Sequence, residues 1–506
     1  MRPTITLKDL YCKMTGLDDK TFRKLRRHLS YFNGYFASVA AAEYGGDGST
    51  YMMTPKGTFL LGLAGDVHQW LVDKGIEHDI EDLRTKIVKP TSKDIKEVLK
   101  QLPFKPRPYQ RELILRGCVK THGLIHAATG AGKTFVMAAI LASWNKPTLI
   151  IVNSKDLMYQ LQFEISEYLG YDADYIGIIG DSIYAPKTIT IGMVQSLRNS
   201  RLGASKKKLV KDTMLGAEVL FCDEVHHAQA KTYRETIKGC KNAIVRLGFS
   251  ATPTTSEIQD VTGEILRSDI VLKAYFGPVL GRVTTRDLIE KGFLAEPTVV
   301  MIENFLYFDG VKLEYAKEYD RIVSKDDDRN MTIASVIAHH YNEGSSVIGF
   351  VTRIEHGEIV ARLLEDEFRI PAEEIGYVTG ELDVSTRGEH IRDFKEGSMR
   401  ILMGTVLSEG LNFLPDVGIN ISGGKADKTA IQRIGRVLRK KRDPVLKDVN
   451  TEEHRSVLYY DFMDLGHPVF ESHSKKRKDV YKREGHRVRK ITEEQLREKF
   501  GSEEDV

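Results

Sequence analysis

Short apolar runs alternate with stretches of helical spacing along most of this chain, and that alternation limits its folds more than any other feature. From about residue 105, "GLIHA", "PTLIIV", "TITIGM", "AEVLFCDE" and "IVRLGFSAT" read as strands, and helix-like stretches separate several of them. Strands that alternate with helices build a parallel sheet covered on both faces. The pattern recurs after residue 295 in "TVVMIE", "SSVIGFVT", "IGYVTG", "RILMGT" and "GINISG". Two α/β domains of nucleotide-binding type are therefore expected side by side. The 506 residues leave room for two to four domains, and a 41% hydrophobic content supplies their cores.

The flanks read differently. Residues 1–90 are expected to form a small α+β accessory domain. In it, "DDKTFRKLRRHLSYF" starts a helix at Asp18 or Asp19, and "GYFASVAAAEYGGDGSTYMMTP" reads as strand, glycine turn, strand. "GLAGDVHQWLVDKG" reads as a second helix ended by Gly75. Residues 91–104 are a charged linker with some helix. Residues 105–280 hold the first α/β domain, 281–470 a connector and the second, and 471–506 a basic, then acidic, C-terminal helical tail. The net charge is only +3, but "KTFRKLRRHL" and "KKRKDVYKREGHRVRK" concentrate positive charge near the two ends. Such local patches govern nucleic-acid affinity more than the total does. Cys12, Cys118, Cys222 and Cys240 form no CxxC pair, so neither a zinc site nor a disulfide framework is expected. No long apolar window and no signal-peptide pattern are present, which predicts a cytoplasmic protein without a membrane partner.

In "AATGAGKT", Ala127 to Thr134, a strand ends and a helix begins. Gly130 and Gly132 let the backbone curl so that its N–H groups face an anion, and the helix N-terminus adds positive potential. Residues Thr129, Gly130, Ala131, Gly132, Lys133 and Thr134 form the expected ATP cradle. Lys133 would hold the β- and γ-phosphates, and Thr134 would ligate Mg²⁺. "EVLFCDEVHH" supplies the acidic partner: Asp223 for Mg²⁺ and Glu224 to polarise the attacking water. "TAIQRIGRVLRKK" carries Arg433, Arg436 and Arg439 at three-residue spacing. On composition alone this is a solvated basic helix; beside the other motifs it becomes a source of charge for the γ-phosphate.

Together these stretches resemble the superfamily 2 helicases over roughly residues 104–465. "RPYQ", "ATGAGKT", "NSKDLMYQ", "MVQSL", "DEVH", "SATP", "VIGFVTRIEHG", "YVTGELDVSTR", "GTVLSEGLNF" and "QRIGRVLR" follow one another in the family's order. The resemblance implies two tandem RecA-like domains. It implies that Arg107 and Gln110 read adenine and that Gln432 faces the nucleotide. Arg436 and Arg439 become arginine fingers from the second domain, closing an interdomain cleft on ATP. His226, Ser250 and Thr252 couple hydrolysis to domain movement. Ser154, Lys155 and Gln195 from the first half, and Arg353, Thr379, Gly380 and Thr405 from the second, touch one nucleic-acid strand, mostly at phosphates. Serines and threonines at strand ends are equally good plain caps.

"DEVH" rather than DEAD argues against the RNA-remodelling group. The connector "YFGPVLGRVTTRDLIEKGFLAEP" resembles that of DNA translocases related to the eukaryotic transcription-repair helicase and to restriction translocases. The first ninety residues and "HSKKRKDVYKREG" resemble phage branch-migrating helicases. The expected function is an ATP- and Mg²⁺-dependent DNA helicase acting as a monomer on forks and four-way junctions in phage replication, recombination or repair, with RNA–DNA hybrids as a further substrate. The alternatives are a restriction-type motor subunit and an ATP-switched clamp. Deleting residues 1–90 is expected to weaken branched-DNA binding more than basal ATPase activity, and a short loop in the second half is expected to split the duplex.

Overall fold

The computed structural model describes residues 2–32, 49–251, 269–294, 296–310, 313–407, 415–424, 430, 433–435, 437 and 457–501. The chain divides into two compact units, Met1–Val283 and Thr284–Val506. Among the described residues no helix is long and apolar enough to cross a membrane.

The first unit begins with β1 (Thr4–Leu7), β2 (Tyr11–Thr15), β3 (Ser30–Phe32), β4 (Ser49–Tyr51), β5 (Thr58–Leu60) and β6 (Asp79–Asp82). Four of these make a sheet in the order β5-β2-β1-β6, while β3 and β4 pair as a separate antiparallel ribbon. The helix Asp19–His28 starts where the sequence indicates, because the Asp18 carboxylate accepts from the amides of Lys20 and Thr21, both at 3.0 Å. Its Arg26 donates to the Met53 carbonyl at 3.1 Å and stacks on Tyr51, so Lys20, Arg23, Lys24 and Arg27 make the solvent-facing basic side. The second helix, Ala64–Asp73, ends before Gly75, whose φ of +65° suits a residue without Cβ.

The module of residues 1–90 is continuous with the sheet that follows it. Ile5, Leu63 and Leu71 share one continuous apolar core with Cys222, Ile237, Leu272 and Phe276. The turn Leu61–Leu63 packs directly on the helix Asp269–Phe276, and Asp66 pairs with Lys273 at 2.6 Å. Gly62 lies so close to that helix that a Cβ would sit 1.9 Å from the Lys273 carbonyl oxygen. Gly62→Val should therefore lower the stability of the first unit by about 1–3 kcal/mol, as overpacking does, read as an earlier urea midpoint. A midpoint equal to the parent's would mean that the module docks loosely. Deleting residues 1–90 should uncover this core, so ATPase activity and DNA binding should fall together rather than separately.

The rest of the first unit contains β7 (His122–Ala127), β8 (Thr148–Val152), β9 (Gly177–Gly180), β10 (Ile183–Ala185), β11 (Ile189–Met193), β12 (Val219–Cys222), β13 (Val245–Ser250) and β14 (Val279–Val283). They form one sheet in the order β10-β9-β11-β8-β12-β13-β7-β14, parallel except for β10. β8, β11 and β12 are buried throughout, which explains their unbroken apolar runs. β14, from the expected connector, instead completes this sheet beside β7.

The second unit holds β15 (Pro297–Phe305), β16 (Val347–Phe350), β17 (Ile375–Val378), β18 (Ile401–Gly404), β19 (Val417–Asn420), β20 (Val457–Leu465) and β21 (Arg487–Thr492). Its order is β17-β18-β16-β19-β20-β15-β21, and every pairing is parallel. The expected basic tail is corrected here. Its residues form the helix Pro468–Arg483, packed on β20, and then the edge strand β21. Arg477, Val480 and Tyr481 are buried in that helix, while Arg487, Arg489 and Lys490 face outward from the edge strand. Outward charges of this kind blunt an exposed sheet edge.

Candidate active site

The phosphate loop runs from the end of β7 to the helix Lys133–Trp144. Gly130 and Gly132 adopt φ of +84° and +73°, which glycine adopts without steric cost. The loop is braced from below. The Tyr109 hydroxyl and the Gln110 amide both donate to the Ala131 carbonyl, at 3.1 and 2.9 Å. Gln110 accepts in turn from the Arg107 amide at 2.9 Å, and a Cβ on Gly132 would meet its side-chain nitrogen at 2.4 Å. The Gln110 nitrogen thus supports the loop, while its oxygen caps the start of the helix Pro108–Val119. Tyr109 has a role that sequence reasoning missed, although "RPYQ" contains it. Thr129 lies in the loop, and Thr134 begins the helix beside Lys133.

β12 ends at Cys222, next to β13 and β8, and delivers Asp223 and Glu224 to the loop. Lys133 Nζ lies 2.7 Å from Asp223 Oδ1 and 2.5 Å from Glu224 Oε1. Glu224 takes a left-handed φ of +43°, a costly conformation for a residue with a Cβ, and it turns the carboxylate toward the lysine. Ser250, at the end of β13, donates to Glu224 Oε2 at 3.1 Å, and His226 Nδ1 lies 3.0 Å from the same hydroxyl. His226 and Ser250, expected from the resemblance to couple hydrolysis to movement, both contact the Glu224 carboxylate directly.

Burial disfavours charge on all three central groups. On Lys133 the two carboxylates outweigh burial and hold the ammonium well above its usual range. Burial pushes the Asp223 carboxyl up, with repulsion from Glu224 adding to it against the pull of Lys133. For Glu224 burial is overcome by Lys133 and His226, and its carboxyl is held well below the usual range. Two adjacent carboxylates are thus driven apart, which keeps Glu224 ionised.

The first-unit strand residues follow β8 and β11, which are neighbours. Ser154 caps the helix Lys155–Leu169 through the Leu157 amide at 3.3 Å, Lys155 pairs with Asp181, and Gln195 donates to the Asn153 carbonyl at 3.1 Å. Ser154 is thus a cap here, and Gln195 and Lys155 have local partners. In the second unit Arg353, Thr379 and Thr405 follow β16, β17 and β18, so the parallel pairing brings all three to one edge. Arg353 pairs with Asp320 at 3.4 Å, the Thr379 hydroxyl accepts from the Glu381 amide at 3.3 Å, and the Thr405 amide donates to the Val378 carbonyl at 3.0 Å. A Cβ on Gly380 would meet only Val406, at 3.9 Å. Thr252, Gln432, Arg436 and Arg439 lie outside the described residues.

The family model for the type III restriction enzyme res subunit matches residues 103–255, and that for the helicase conserved C-terminal domain matches residues 329–441. These spans cover the phosphate loop and the Asp-Glu pair in the first unit and the expected arginine motif in the second. The chain is a superfamily 2 helicase. Helicase domains imply ATP use. A DNA 3'-5' translocase XPB2 of Sulfurisphaera tokodaii is 26% identical over 74% of the chain and 86% of its own length. The chain spans only 51–58% of three further curated relatives, each 25–28% identical. The solved structure of S. cerevisiae Dbp5 bound to RNA and ADP BeF3 shares the fold, with a TM-score of 0.54 and 15% identity over 81% of this chain and 95% of that one. T4 UvsW is 19% identical over 97% of this chain and 99% of its own, with a TM-score of 0.46.

Proposed function

We propose that this helicase is an ATP-driven DNA motor that unwinds or branch-migrates forks and four-way junctions. The observation that carries the reading is the Lys133–Asp223–Glu224 cluster, linked through Ser250 and His226 to the strand that leads out of the site. Lys133 would exchange its carboxylate partners for the β- and γ-phosphates of ATP. The oxygen donors of Thr134 and Asp223 suit Mg²⁺, which favours hard oxygen ligands and supplies charge neutralisation on the phosphates. Glu224, kept ionised, orients the attacking water. The departure of Lys133 from Glu224 would be felt at Ser250 and His226 through the hydrogen bonds described above. Arg436 and Arg439 are assigned, by resemblance, the stabilisation of charge on the γ-phosphate.

DNA as the track is supported by the relatives named as DNA translocases and helicases. The exposed basic side of Asp19–His28 supports binding to duplex arms, because rows of lysine and arginine bind phosphates and release counterions. Strand displacement on forked DNA, four-way junctions and RNA–DNA hybrids tests the reading. Faster ATP-dependent turnover of branched DNA than of a blunt duplex is expected. DNA-stimulated ATPase activity without any strand displacement would overturn it in favour of the clamp.

A further inference from the structure

Arg433 stands three residues before Arg436 and is almost fully buried, at 5% exposure. The described residues around it, Ala430, Arg433–Gly435 and Val437, are helical. Its Nη1 donates to Asn420 Oδ1 at 2.5 Å, at the end of β19, and its guanidinium lies near the ring of Phe350. The other end of the same amide, Asn420 Nδ2, donates to Asp461 Oδ1 at 2.9 Å. Asp461 is fully buried and also accepts from the Phe462 amide at 2.7 Å and the Tyr481 hydroxyl at 2.8 Å. Arg477 grips it with Nε at 2.9 Å and Nη2 at 3.0 Å, and donates to the Gly424 carbonyl at 2.5 Å.

An amide is the one side-chain type suited to position 420. It accepts from a guanidinium with its oxygen while donating to a carboxylate with its nitrogen. A carboxylate there would repel Asp461, and an amine would repel Arg433. The helix Pro468–Arg483, read from sequence as a basic tail, is therefore joined by unbroken hydrogen bonds to the stretch that leads to Arg436 and Arg439. Buried side chains linked in series by hydrogen bonds restrain what is attached to them.

We infer that Asn420 and Asp461 form a positioning relay through which the helix Pro468–Arg483 fixes the arginine-bearing stretch for ATP hydrolysis. The inference rests on the motor reading above. Asn420→Ala should lower kcat by up to about 10²-fold, the order expected for a misplacement near 1 Å. KM for ATP and Kd for a forked DNA should stay within about twofold, because Asn420 is buried at 2% exposure and offers no surface to either ligand. Asn420→Asp keeps the shape but sets a carboxylate against Asp461, and kcat should fall there too. Arg436→Ala separates positioning from plain stability. If Asn420 acts through that arginine, Asn420→Ala should cost within about twofold more in its background, a non-additive cycle. Independent, multiplicative losses, or an undiminished kcat in Asn420→Ala beside an active parent, would overturn the relay alone. A parent chain without ATP turnover would overturn the motor reading and the relay with it.

Discussion

Lys133→Ala is expected to lose DNA-stimulated ATP hydrolysis by about 10²–10³-fold, the usual effect of removing one preorganised donor from a developing charge. Lys133 has two tasks. It would hold the phosphates, and in the structure it neutralises Asp223 and Glu224 at 2.7 and 2.5 Å. Losing it leaves two buried carboxylates side by side, and breaking such a pair costs roughly 3–5 kcal/mol. The cost carries a pH signature. The Asp223 carboxyl is already raised by burial, and removing the lysine raises it further above its unfolded value. A folded state that holds its proton longer than the unfolded state loses stability as pH rises between the two pKa values. The thermal penalty of Lys133→Ala should thus be smallest at acid pH, below the carboxylate range, and full at neutral pH. DNA binding without nucleotide should survive. Undiminished turnover, or a penalty independent of pH, would remove Lys133 from this role.

Arg477→Met should strongly destabilise the second unit. Arg477 is 3% exposed, and its bidentate contact with Asp461 is reinforced by Asp464 at 3.8 Å. Burial works against its charge, but the attraction of Asp461 dominates and holds the guanidinium firmly protonated. Methionine fills the space and abandons a buried carboxylate, at a cost of about 3–5 kcal/mol. For a unit of this size that corresponds to a fall of roughly 6–20 °C in the melting midpoint. Adding Asp461→Asn should recover part of the loss, since the stranded charge goes with it. Exposed Lys476→Ala is the contrast and should stay within about 0.5 kcal/mol of the parent. If Arg477 instead served a DNA-binding tail, Arg477→Met would weaken DNA affinity at an unchanged midpoint.

The difference between these two sites explains how much was legible in the sequence. The loop Thr129–Thr134, Asp223 and Glu224 are local features: a glycine turn between strand and helix, and carboxylates ending an apolar strand. Their meeting within 2.7 Å follows once β7 and β12 lie in one sheet. Ten strands announced themselves as buried apolar runs for the same reason. β9, β10, β14, β20 and β21 did not. β10 and β21 are partly exposed edge strands whose pattern is diluted by polar residues, and β14 pairs parallel to β7 across more than a hundred residues. The supporting roles of Tyr109, Gln110 and Asn420 depend on partners distant in sequence, which no spacing rule encodes.

By itself, the sequence determined the two parallel-sheet domains, the phosphate loop, the acidic pair and the helicase family. Each is written in contiguous residues whose periodicity or chemistry is nearly independent of context. Only the tertiary structure decided that the N-terminal module shares a core with the first sheet, and that the basic C-terminal stretch is an internal strut. A lysine or arginine has the same letter whether it faces water or a buried aspartate. What separates the two is the desolvation cost of its charge, which burial imposes and which is offset only where the folded chain has brought a carboxylate such as Asp461 to meet it.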